Sequence, residues 1–191
     1  MAAPDLRPAA FLDRDGVINV ERGYVHRVED FELLGGAIEG ARLLHEAGYA
    51  LVVITNQAGI ARGLYTEAQY QVLTSHLQGL FSAQGLPLAG VYHCPHHPDA
   101  RVAAYRRDCN CRKPAPGLLL QAARELGLDL ARSVLVGDKA SDIGAARAAG
   151  LARAVLVRSG HAVSAAEAAQ ADACLDDLTQ AARWLLRSPT A

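Results

Sequence analysis

Five short apolar runs, at residues 9–12, 50–54, 90–92, 133–136 and 154–157, alternate along the chain with longer segments of helical periodicity. That alternation narrows the choice of fold sharply. Four of the five runs are almost continuously apolar, the pattern of strands covered on both faces. The segments between them, 37–47, 66–83, 116–126 and 142–149, space their apolar residues as amphipathic helices do. Strand then helix, repeated, predicts a parallel α/β sheet. Gly48 and Gly127 stand where helices should stop, Thr66 and Glu67 where one should start, and Pro116 suits a first turn. The Ala-rich stretch 162–173 is poor in Gly and Ser and leads into a last helix, 178–186, so it is expected inside the domain with Trp184 as a packing anchor.

With 191 residues, 19 basic and 20 acidic side chains and a formal charge of -1, the chain is expected to form one domain over 1–191. A domain of that size buries roughly 70% of its unfolded surface without disulfides. The near-neutral balance argues against nucleic acid and against a polybasic membrane contact. No apolar run reaches the ~20 residues of a bilayer span, and residues 1–10 carry no secretory pattern. The expectation is a cytoplasmic monomer whose cysteines, Cys94, Cys109, Cys111 and Cys174, are thiols or metal ligands. Among the basic residues only Lys113 and Lys139 are lysines.

Ligands of an open parallel sheet bind beyond the carboxyl ends of its strands, and here those ends are polar. The first run leads into Asp13-Arg14-Asp15-Gly16, the second into Thr55-Asn56-Gln57, and the fourth into Gly137-Asp138-Lys139 followed by Asp142. Alternation along a strand puts Asp13 and Asp15 on one side and points Arg14 away. Crowded carboxylates repel, and Mg²⁺ taking oxygens from Asp13, the Asp15 region and Asp138 relieves this. One carboxylate can then attack a phosphoryl group while a second, protonated, serves the leaving oxygen.

A second cluster lies between these motifs. Cys94-x-His96 and, further on, Cys109-x-Cys111 offer three thiolates and an imidazole, a closed tetrahedral set for a structural zinc in a loop at about 93–112. His93 and His97 are alternatives to His96, but His93 ends a strand and His97 precedes Pro98, which favours His96. Arg112 and Lys113 follow directly, so zinc is expected to fix the loop that presents both cations. Cys174 has no partner nearby and is expected as a buried hydrophobe.

Asp-x-Asp-Gly, Thr-Asn, Arg-Lys-Pro and Gly-Asp-Lys-x-x-x-Asp, in that order, resemble the haloacid dehalogenase superfamily of phosphatases over residues 9–187. The resemblance implies a Rossmann-like three-layer α/β fold, and the short gaps between motifs leave no room for a full cap domain. It implies that Asp13 is the nucleophile that becomes aspartyl phosphate, that Asp15 is the acid and then the base, and that Thr55 and the Asn56 amide bind phosphoryl oxygens. Lys113 corresponds to the phosphate-facing lysine, Asp138 completes the Mg²⁺ shell, and Asp142 supports it from behind. Lys139, directly after Asp138, is expected near phosphate or metal.

Within the superfamily, the run from Asn19 to Val25, Thr-Asn-Gln-Ala-Gly-Ile-Ala-Arg-Gly, Cys-Pro-His-His-Pro and Cys-x-Cys-Arg-Lys-Pro resemble the heptose bisphosphate phosphatases of ADP-heptose (lipopolysaccharide core) biosynthesis. That resemblance implies a small phosphosugar substrate contacted by Asn19, Val20, Glu21, Arg22, Gln57 and Arg112, the last suited to a second phosphate by its planar fork. The histidinol-phosphate phosphatases share the four motifs and the zinc ligands and remain the alternative. Val17 and Ala58 depart from the commoner Thr and Ser at those positions. A zinc-stabilised phosphosugar-binding module without turnover is the alternative of another class, disfavoured by the presence of both Asp13 and Asp15.

Overall fold

The computed structural model describes residues 6–187; what the sequence suggests for residues 1–5 and 188–191 lies outside the described residues. β1 (Ala9–Leu12), β2 (Ala50–Asn56), β3 (Gly90–Cys94), β4 (Val134–Gly137), β5 (Arg153–Val157) and β6 (Ala173–Leu175) form one sheet in the order β3-β2-β1-β4-β5-β6. All five pairings are parallel. The helices are α1 (Ala37–Glu46), α2 (Ala58–Ala61), α3 (Glu67–Ala83), α4 (Gly117–Leu126), α5 (Ala140–Ala149), α6 (Ala165–Ala168) and α7 (Leu178–Arg187).

Alternation along the strands divides the apolar side chains between two layers. Ala10, Leu12, Val53, Val134, Val136, Val155 and Val157 pack on one face against Leu44 of α1, Leu77 and Phe81 of α3, and Leu178 and Leu185 of α7. Phe11, Val52, Ile54, Leu135 and Leu156 pack on the other against Leu118 and Leu119 of α4 and Ile143 of α5. Burial on both sides is why these runs are almost purely apolar. The result is the expected three-layer α/β arrangement, with no cap domain among the described residues.

Several boundaries differ from the expectation. β2 and β3 run on to Asn56 and Cys94, because the ladder pairs Thr55 with His93 and Asn56 with Cys94 although the sequence there has turned polar. α5 starts at Ala140 rather than at 142: the Asp142 carboxylate accepts the Lys139 backbone N–H at 3.0 Å and closes the first turn. β6 is an additional strand that the sequence pattern does not signal: three residues at a sheet edge after an Ala-rich stretch carry too little periodicity to read. Cys174 lies on β6 and is half-buried against the second layer rather than fully buried. The α3 start agrees, with Thr66 and Gln69 forming a reciprocal cap.

The sheet order reverses between β1 and β4, which are neighbours although far apart in sequence. At such a switch point the loops leaving the two strands diverge and open a crevice. Asp13 follows β1 and Asp138 follows β4, so both stand at its mouth. No helix among the described residues is long and apolar enough to cross a membrane.

Candidate active site

At the crevice, oxygens of Asp13, Asp138 and Asp142 come within 4.8 Å of one another, all three residues being buried. Lys113, only 3% exposed, lies among these carboxylates. Its ammonium donates to the Ile54 carbonyl at 3.0 Å and ion-pairs with Asp13 at 3.0 Å and Asp142 at 2.5 Å. Burial opposes the charge on Lys113, but the two carboxylates outweigh it and hold its pKa above the ordinary lysine range. Burial also pushes Asp13 up to about 6, opposed by Lys113 and reinforced by Asp142 and Asp15. Asp138 is raised by burial and by Asp13. His161, which sequence reasoning did not single out, lies with Nδ1 2.6 Å from Asp138 Oδ2, and its backbone N–H donates to the same oxygen at 3.2 Å.

Close backbone approach makes room for this cluster. A Cβ on Gly16 or Gly160 would lie 2.4 or 2.1 Å from Asp138 Oδ2, so only glycine fits at either place. The Asn56 side chain clamps the Lys113 backbone in both directions, accepting its N–H at 3.0 Å and donating to its carbonyl at 3.1 Å. The second strand end and the lysine loop are thereby locked together.

The Asp15 carboxylate does not join the three-carboxylate group. Its side chain is taken instead by donors: Arg14 Nη2 at 2.8 Å to both oxygens, Asn19 Nδ2 at 3.0 Å and Gln57 Nε2 at 3.1 Å. Arg14 therefore does not point away from its neighbour. It turns inward, 2% exposed, and also donates to the Val25 carbonyl at 2.7 Å, because a buried guanidinium needs a carboxylate beside it. The short chain spacing of Asp13, Arg14 and Asp15 was legible; the inward turn of Arg14 was not.

A cleft of about 510 Å³ opens above these groups, lined by Asp13, Asp15, Thr55, Asn56, Lys113 and, around its rim, Glu21, Tyr24, Arg62, Arg112, Lys139 and His161. Of the segment expected to contact substrate, Glu21 lines the cleft, whereas Asn19 is fully buried beneath Asp15 and Val20 is not part of the lining. Arg22 faces away and pairs with Glu32 on the surface. Gln57 lines the cleft, with its amide also donating to Thr55 Oγ1 at 2.8 Å and to Asp15. Lys139 stays half-exposed, 3.8 Å from Glu21. Tyr24, within the run from Asn19 to Val25, has the Arg62 guanidinium over its ring at 5.8 Å and is held at φ 59°. A non-glycine residue in that region is uncommon and is found where the surroundings impose it.

The Cys94, His96, Cys109 and Cys111 ligand atoms also lie within 4.8 Å of one another. The three sulfurs are 3.1–3.5 Å apart, and His96 Nδ1 is 3.3 Å from Cys111 Sγ. The two alternatives to His96 are occupied: His93 pairs with Glu67 at 2.8 Å, and His97 Nδ1 accepts the Asp99 N–H. The cluster could hold a zinc ion. Arg112 donates to the His96 carbonyl at 3.4 Å, which ties the cleft cation to the cluster.

A family model described as "HAD-hyrolase-like" matches residues 110–181. The chain is 50% identical over 171 residues to a D-glycero-beta-D-manno-heptose-1,7-bisphosphate 7-phosphatase of Yersinia pestis, covering 90% of this chain and 91% of that one. It is 48% identical over 181 residues to the protein of the same name from Escherichia coli K12, covering 95% and 89%. Among solved structures it superimposes on the D,D-heptose 1,7-bisphosphate phosphatase of B. bronchiseptica complexed with magnesium and phosphate, with TM-score 0.80, 31% identity and coverage of 94% and 98%. The strand-end carboxylates, the phosphate-motif lysine and this likeness along nearly the whole length of several relatives agree, and the chain belongs to the heptose bisphosphate phosphatase family of haloacid dehalogenase-like phosphoric monoester hydrolases.

Proposed function

We propose that the chain removes the 7-phosphate of D-glycero-beta-D-manno-heptose 1,7-bisphosphate, as a cytoplasmic monomer supplying a dephosphorylated heptose to ADP-heptose synthesis. The observation that carries this reading is the division of the cleft. Lys113 and the buried carboxylates sit at its floor, while Arg62, Arg112 and Lys139 stand at the rim as a separate set of cations. A substrate with two phosphates, one reacting and one anchored, fits both.

In this reading Asp13 attacks the phosphorus as the bond to the sugar oxygen breaks, and that oxygen leaves with a proton from Asp15. Water then attacks the aspartyl phosphate and gives its proton to Asp15, releasing phosphate and restoring Asp13. Thr55, the Asn56 amide and Lys113 hold the phosphoryl oxygens, whose alignment and neutralisation are most of what phosphoryl transfer requires. Asp13 and Asp138, backed by Asp142, fit a hard cation: Asp138 Oδ1 is buried without a hydrogen-bond partner among the described residues, while Asp142 Oδ1 is held by Lys113. When bound, Mg²⁺ supplies positive charge against these carboxylates and the phosphate.

Phosphate release measured with Mg²⁺ from both heptose bisphosphate anomers and from histidinol phosphate tests the assignment. The expected result is the highest kcat/KM on the beta anomer; a preference for histidinol phosphate overturns it. Because Mg²⁺ would bind the folded carboxylate group and not the unfolded chain, about a hundredfold excess over its Kd should raise Tm by about 5–10 °C. Asp138→Asn should remove most of that shift, and an undiminished shift would place the cation elsewhere.

The sulfur separations are close to the roughly 3.8 Å edge of a tetrahedron with 2.3 Å Zn–S bonds, so the residues fit zinc. Zinc here would act by holding the loop, not by touching substrate. Cys109→Ala should lose bound zinc and cut activity. Since Asn56 clamps Lys113 independently while Arg112 leans on His96, KM should rise more than kcat falls. Normal turnover in the zinc-free variant would refute the coupling.

A further inference from the structure

Tyr65 lies outside every motif used above, yet its ring is 4% exposed and lines the wall of the cleft. Its hydroxyl donates to Gln57 Oε1 at 2.5 Å. The opposite end of the same amide spends both its hydrogens, one on Asp15 Oδ2 at 3.1 Å and one on Thr55 Oγ1 at 2.8 Å. An amide can turn end for end at little cost when nothing distinguishes its two sides. Here the acceptor-only Asp15 carboxylate fixes which end is the NH₂, and the phenol, donating to the carbonyl end, anchors the amide in that place.

The chain around Tyr65 is built to admit it. A Cβ on Gly59 would stand 2.1 Å from Tyr65 Cε1 and 2.8 Å from its hydroxyl, although Gly59 lies within α2 where glycine is otherwise unfavourable. His26 stacks on the outer face of the ring at 4.7 Å and 7°. Burial pushes the phenol above its ordinary range, so it remains a donor.

We infer that Tyr65 is a positioning residue for Asp15, acting through the Gln57 amide, and that Gly59 is glycine so that the tyrosine ring can reach that amide. The inference rests on the reading of Asp15 as the group that protonates the leaving oxygen. Without the hydroxyl, the carbonyl end of Gln57 loses its anchor, the amide can shift, and the donor it offers to Asp15 is no longer held in place. Proton delivery to the leaving oxygen then suffers while Asp13, Lys113 and the metal group are untouched.

The leaving group separates this role from general loss of structure. A sugar alkoxide needs a proton to depart, whereas p-nitrophenolate does not. We would compare kcat/KM, which reports the steps through alcohol release, on heptose bisphosphate and on p-nitrophenyl phosphate for wild type, Tyr65→Phe, Gly59→Ala and Asp15→Asn. Misfolding lowers both values alike and leaves their ratio unchanged. Asp15→Asn should lose roughly 10²–10⁴-fold on the sugar substrate and far less on the aryl ester. Tyr65→Phe and Gly59→Ala should show the same bias at about tenfold. If Asp15→Asn is selective but Tyr65→Phe loses equally on both substrates, or loses nothing, the positioning role is wrong. If Asp15→Asn itself shows no bias, the reading of Asp15 fails and the role of Tyr65 falls with it.

Discussion

Asp13→Asn lowers kcat by at least about 1,000-fold, equivalent to roughly 4 kcal/mol of barrier, and abolishes covalent capture of phosphate on the protein. The expectation follows from Asp13 being the carboxylate that lies at once in the three-carboxylate group, beside Lys113 and open to the cleft. The amide is nearly isosteric with the carboxylate, so the fold should survive. Asp13 has a folded pKa of about 6, above the unfolded carboxylate value, so the proton favours the folded state. That contribution is present below pH ~4 and is lost as pH rises through about 6 in the metal-free protein. An uncharged side chain avoids the loss, and near neutral pH Asp13→Asn should therefore keep or raise the metal-free Tm. Phosphate release at a wild-type rate, measured in parallel with thermal unfolding, would exclude Asp13 as nucleophile.

Lys113→Arg is the second large effect, although it conserves charge. The ammonium is enclosed by three oxygens, the Ile54 carbonyl, Asp13 and Asp142, at 2.5–3.0 Å. A compact cation with three hydrogens can face all of them, whereas a planar guanidinium on a longer stem cannot and must displace one wall. Overpacking at a site with 3% exposure costs about 1–3 kcal/mol, and moving the charge off the phosphate position should lower kcat about 10²-fold or more. Lys113→Met goes further by leaving Asp13 and Asp142 buried without their counter-charge. That costs about 3–5 kcal/mol, or a Tm fall of roughly 6–20 °C. Wild-type kcat in Lys113→Arg would show that the position needs only a charge.

The two lysines illustrate how far sequence reasoning reaches. Both sit in phosphatase motifs, and both could be placed near the site from the sequence. Their environments differ completely: Lys113 is buried among carboxylates, while Lys139 is half-exposed and 3.8 Å from Glu21. Neighbours along the chain place Lys139 beside Asp138, but the burial of Lys113 depends on the Ile54 carbonyl and on Asn56, both more than fifty residues earlier in the chain. The same limit explains Arg22 and Asn19. Their positions in the loop after β1 were legible, but whether each side chain entered the cleft depended on the return of that loop at Glu32 and on the donors needed around Asp15.

Periodicity and spacing were enough to determine the parallel α/β class, the strands that end in carboxylates, and the Cys94, His96, Cys109 and Cys111 set. These depend on local alternation and on short chain intervals, which survive in one dimension. Tertiary structure alone decided that Asp15 is held by Arg14, Asn19 and Gln57 apart from the three-carboxylate group, that His161 touches Asp138, and that Tyr65 reaches Gln57 past Gly59. Each of these requires a buried polar group to find its partner, and the folded packing determines which partner is within reach.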